Sequence, residues 1–133
     1  MLPSGLSDSI AADEPLARFV HESNKFNKSG AKPGAFMPPA NGLLSVARHP
    51  KEPLDGLRFL AEEFLPGVDV YGAAMLSAGD ALNTGLSVIP EEPPPRHANI
   101  TGWPTSSDPE LQKAARKEKA LKLASASEWV PFG

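Results

Sequence analysis

The sequence predicts one α+β domain: a small sheet of three to four strands covered by about three helices, spanning residues 15–133 after a polar, acidic segment at 1–14 expected to be disordered. Three observations carry that prediction. The segment 53–65, PLDGLRFLAEEFL, places Leu54, Leu57, Leu60, Ala61, Phe64 and Leu65 within an arc of about 140° at helical spacing. LLSVARH, residues 43–49, is an apolar run stopped by Pro50, as a strand would be. SSDPELQKAARKEKALKLASASEW has Ser107 three residues before Glu110 and Pro109 between them, the spacing that opens a capped helix.

From the N-terminus, LARFVH, 16–21, suits a strand or a short helical turn. The stretch to Gly42 is dense in Asn, Lys, Gly and Pro and reads as loop, with AFM as a brief edge strand because Pro38 and Pro39 cannot continue a ladder. In the helix at 53–65, Pro53 fits the first turn and Pro66–Gly67 the end, while Phe59 falls off the apolar stripe and is expected to pack partly. A second helix is expected from Asp69 as N-cap, with Val70, Tyr71, Ala74, Met75, Ala78, Ala81 and Leu82 on one face and Gly85 as its left-handed exit. LSVIP, 86–90, is a short strand and HANIT, 97–101, a further candidate. In the third helix Asp108 and Glu110 at the start precede Lys113, Arg116, Lys117, Lys119 and Lys122, matching the helix dipole. Trp129, Val130, Pro131 and Phe132 suggest a tail that docks on the domain.

Composition limits the function classes. Leu, Ile, Val and Phe make up 30 of 133 residues, so the core is modest, and 15 prolines imply stiff loops around few elements. Without cysteine there are no disulfides, thiolate metal sites or cysteine nucleophile. Three histidines at no helical ligand spacing make a zinc site unexpected; no GxGxxG, GxxxxGK or GxSxG occurs, so nucleotide binding through such loops and serine hydrolase chemistry lack their strongest signals, and no cofactor is expected. The first residues have neither a basic start nor an apolar run, so a cytoplasmic protein without membrane attachment is expected. The net charge of −3 conceals two basic blocks, 15–51 and 93–122, around an acidic middle.

The candidate site centres on PEEPPPRHANITGWP, residues 90–104. Three prolines should hold an extended, polyproline-like path and present the residues after them with little backbone freedom. Arg96 supplies a planar fork of donors, His97 a ring that titrates near neutrality, Asn99 both a donor and an acceptor, and Trp103 a flat ring with an N–H. In an extended segment, 97 and 99 point to one side and 96 to the other. A second pair, Arg48–His49, ends the strand LLSVARH and would join the first at one end of the sheet if that strand neighboured LSVIP. NKFNKSGAKPG carries Lys25, Lys28 and Lys32, a flexible basic loop that resembles a phosphate cradle only loosely. Against a functional role, a Trp beside a Pro is commonly a loop anchor, a lone His a satisfied hydrogen bonder, and Arg96 a partner for Glu91 or Glu92.

RFV, KPGAF followed by Pro38, LSVAR and above all PPPRHANITGWP resemble a group of small bacterial proteins with no assigned activity, over roughly residues 16–125. An aromatic is common in that group where this chain has Ala47. The resemblance implies a bacterial, cytosolic origin and transfers no mechanism.

These patterns point to an accessory or binding module, more readily non-enzymatic than catalytic. Arg48, Arg96, His97, Asn99 and Trp103, with the basic loop around Lys32, would engage an anionic partner, either nucleic acid or an acidic protein surface. Two alternatives stand beside it. One is a small metal-independent phosphodiesterase or other hydrolase using His97, and the other a structural subunit of a larger bacterial assembly.

Overall fold

The computed structural model describes residues 2–48 and 54–133. The expected α+β class is found, but with six strands in the main sheet rather than three or four. All neighbours are antiparallel, in the order β6-β7-β4-β1-β5-β8. The strands are β1 (Pro15–Val20), β4 (Leu44–Arg48), β5 (Gly72–Ser77), β6 (Ser87–Pro90), β7 (His97–Thr101) and β8 (Glu128–Pro131). A separate two-stranded ribbon, β2 (Phe26–Asn27) with β3 (Gly30–Ala31), rises from the loop between β1 and β4. The helices are α1 (Leu54–Phe64), α2 (Ala78–Asn83) and α3 (Pro109–Ala126). None of the described helices is long and apolar enough to cross a membrane.

The four segments that read as strands, LARFVH, LLSVAR, LSVIP and HANIT, all lie in the sheet. The two additional strands come from places where the sequence pattern is ambiguous. Residues 70–82 do not form the one helix expected from Asp69. Instead β5 runs to Ser77, and only then does α2 begin, with Ser77 Oγ accepting from the Asp80 N–H and the Asp80 carboxylate accepting from the Ser77 N–H. Both faces of β5 are covered: Ala74 and Leu76 face one apolar cluster and Ala73 the other. A strand buried on two sides loses the polar alternation that would mark it, and its apolar run imitates a helix. The sixth strand is the docked tail, β8, which pairs with β5 from Gly72↔Pro131 to Met75↔Glu128.

Two cores sandwich the sheet. On one side Leu16, Val20, Leu44, Val46, Ala98 and Ile100 meet α2, α3 and Phe36. On the other Ala17, Phe19, Ala47 and Ala73 meet Leu57, Leu60 and Ala61 of α1. Phe59, expected to pack partly, is 67% exposed, because it sits on the face of α1 turned away from the sheet. AFM is not an edge strand: Ala35 and Phe36 belong to a short 3-10 turn, Pro33–Phe36, that packs against α3. The helix cap at α3 is Asp108 rather than Ser107; its carboxylate accepts from the Glu110 and Leu111 N–H groups, and Pro109 occupies the first turn.

The central pairing is irregular. β1 pairs with β5 along its whole length, but, among the described residues, with β4 only at Leu16↔Arg48 and Ala17↔Ala47. Beyond that point the two central strands part, and the ladder between them stops.

Candidate functional site

The prolines do not present an extended arm. Residues 91–96 form a tight connection between β6 and β7, with cis peptide bonds at Glu92–Pro93 and Pro93–Pro94 and Arg96 at φ 69°. The Glu91 N–H donates to the His97 carbonyl and the His97 N–H to that of Pro94. The antiparallel pairing of β6 with β7 requires the chain to reverse here, and that overrides the polyproline preference.

Each residue singled out from the sequence then has a definite place. Arg48 is 1% exposed. Its Nε and Nη2 donate to the two Glu14 carboxylate oxygens at 2.6 and 2.7 Å, and its Nη1 donates to the Ser7 carbonyl. Bonding to Glu14, working against desolvation, holds this guanidinium above its ordinary pKa. Trp103 is buried in the α3-side core and donates Nε1–H to the Ile100 carbonyl, the anchoring role. Asn99 is buried on β7, opposite Ser45 of β4 and Ile89 of β6. Arg96 is half-buried; its N–H donates to Glu92, and its carbonyl accepts from the Arg48 N–H. The two arginines therefore do meet at one end of the sheet, through β4–β7 pairing rather than β4–β6. His49 lies outside the described residues. Lys32 is exposed at the start of the Pro33–Phe36 turn.

His97 is 9% exposed and does not project from the surface. Its ring lies 5.6 Å from that of Phe64 on α1. Nδ1 is 2.6 Å from the Glu91 carbonyl oxygen, and Nε2 is 2.7 Å from Ser45 Oγ. A carbonyl can only accept, so Nδ1 carries the hydrogen, and a neutral ring then offers Nε2 as acceptor to the Ser45 hydroxyl.

Where β1 and β4 part, Arg18 takes over the missing ladder. Its Nη1 donates to the Ser45 carbonyl at 2.9 Å and its Nε to the Ala35 carbonyl at 2.8 Å. Two recesses open beside it and share Arg18, Phe19 and His21. One, about 170 Å³, is walled by Lys25, Gly34 and Met37 and rimmed by Glu22; the other, about 80 Å³, by Ser45, Val46, Phe64 and Leu65. Burial pushes the Arg18 guanidinium down to about 10, with the Glu22 charge opposing. The contrast with Arg48 is direct. Among the described residues no carboxylate lies within ion-pair distance of Arg18, and its two protein bonds go to neutral carbonyls.

Comparison with known proteins gives no match, whether to protein families, curated proteins or solved structures. The chemistry of this site rests on its own geometry. The sequence reading missed Arg18 and Ser45 as site residues. The available signal was a single polar residue inside each of two apolar strands, LARFV and LLSVA.

Proposed function

We propose that the protein is a binding module for anionic groups, carboxylate or phosphate, received by Arg18 in the parted seam between β1 and β4. What supports this is the Arg18 guanidinium: a desolvated cation beside open recesses, held by two carbonyls and, among the described residues, with no carboxylate within ion-pair distance. Guanidinium has five N–H donors in a planar fork, and two are used here, leaving three for a ligand. A ligand anion would supply the neutralising charge that Glu14 gives Arg48. Lys25, from the basic loop, and His21 add positive charge at the rim when protonated, while Glu22 disfavours large polyanions. With a net charge of −3 over the whole chain, a small anionic group suits this surface better than a nucleic-acid backbone.

Titration calorimetry with inorganic phosphate and with succinate tests the reading. Wild type should bind one anion per chain, and Arg18→Met should weaken binding at least tenfold. Unchanged affinity in that variant removes the proposal. A shallow salt dependence is expected; titration with an oligonucleotide that binds with a slope matching six or more phosphates would identify nucleic acid as the partner instead.

A further inference from the structure

The smaller recess contains a second functional element. Ser45 lies at its wall and is half-buried, and its hydroxyl is 2.7 Å from His97 Nε2. On the far side of the ring, Nδ1 is fixed by the Glu91 carbonyl at 2.6 Å. A hydroxyl, an imidazole and a third group orienting that imidazole form the arrangement by which a serine becomes a nucleophile. The register brings the two side chains together: Ser45 pairs with Asn99 and Ala47 with His97, so Ser45 and His97 are diagonal neighbours on the α1 side of adjacent strands. The Phe64 ring packs on the imidazole and restricts its rotation. Arg18 donates to the backbone carbonyl of Ser45 and lines the same recess as the Ser45 side chain.

We propose that Ser45 and His97 are a nucleophile and its general base, hydrolysing esters of short acyl groups bound in the recess walled by Phe19, Val46, Phe64 and Leu65. The proposal rests on the reading that this seam is a ligand site. Ser45 Oγ bonds to the ester carbonyl carbon as its proton passes to His97 Nε2. The tetrahedral oxyanion collapses, the bond from carbon to the alcohol oxygen breaks, and that oxygen takes the proton from Nε2. Water then attacks the acyl-serine carbon, giving one proton to Nε2. The carbon–Oγ bond breaks, Oγ recovers the proton, and the carboxylic acid leaves. The volume, about 80 Å³, and the apolar walls limit the acyl group to a few carbons.

The test uses the full chain with p-nitrophenyl acetate and octanoate, and with an alkyl fluorophosphonate followed by peptide mass spectrometry. Acetate turnover should exceed octanoate turnover, and the phosphonyl adduct should map to Ser45. Ser45→Ala should abolish both. His97→Gln should lower both by at least 100-fold, the smaller end of what a positioned base contributes. Circular dichroism of the variants separates misfolding from lost chemistry, and labelling of the wild type decides the matter even if His97→Gln does not fold. Absence of a Ser45 adduct, or full turnover in Ser45→Ala, overturns the nucleophile. Anion binding without turnover also overturns it and leaves the binding module standing. Turnover and labelling without anion binding support the nucleophile and sink the Arg18 reading instead.

Discussion

Glu14→Gln should strongly destabilise the protein. The substitution keeps the size of the side chain but removes the charge facing Arg48, which is 1% exposed and bonded to both carboxylate oxygens. Removing one partner of a buried ion pair costs about 3–5 kcal/mol, because the other charge stays desolvated. Asp8 and Glu92 still attract Arg48, so the lower end of that range applies here. Unfolding entropy of about 2.1 cal/mol/K per residue gives roughly 0.28 kcal/mol/K for a chain of this length, so 3 kcal/mol corresponds to about 10 °C in Tm. Differential scanning calorimetry at neutral pH measures it. The double change Glu14→Leu with Arg48→Met, which replaces the pair by apolar groups, should recover most of the loss. A Tm drop under about 3 °C for Glu14→Gln, or a double variant no better than the single, would refute the argument that Arg48 is structural and its charge committed to Glu14.

Two further outcomes concern stability. Gly72→Ala should destabilise, since a Cβ there would lie 2.6 Å from the Val130 carbonyl oxygen and 2.7 Å from Trp129 Cζ2. Overpacking of this kind typically costs about 1–3 kcal/mol, and urea denaturation with raised Trp129 fluorescence exposure before the main transition would show β8 detaching first. Acid titration should reveal Glu92. Desolvation pushes its carboxyl up, but bonds from the Ser4 hydroxyl and N–H and the Arg96 N–H, with the Arg48 charge, outweigh that and hold it below its ordinary value. A depressed carboxyl contributes stability above its unfolded pKa and loses it as pH falls through the folded value, so wild type should lose stability below about pH 4.5 more steeply than Glu92→Gln. Parallel curves for the two proteins would contradict this.

The parts of the fold legible in the sequence are those with one covered face. α1 announces itself because its stripe faces a sheet and its opposite side faces water, and α3 because Pro109 and the ordered acids and lysines mark its start and direction. β5 does not, because Gly72, Ala73 and Ala74 lie between two cores and carry no polar alternation. The site was legible only in part. His97 could be singled out by residue type, but its partner, Ser45, lies 52 positions away and becomes a neighbour only through strand register. Arg48 and Arg18 look equivalent in LSVAR and LARFV. Only tertiary contacts separate a guanidinium paired with Glu14 from one that bridges two carbonyls.

The interrupted ladder between β1 and β4 divides the sheet into a β6-β7-β4 trio and a β1-β5-β8 trio, bridged among the described residues by two backbone residue pairs, by the Arg18 side chain and by the two shared cores. A ligand clasped by Arg18 would stitch the two trios together at their weakest line.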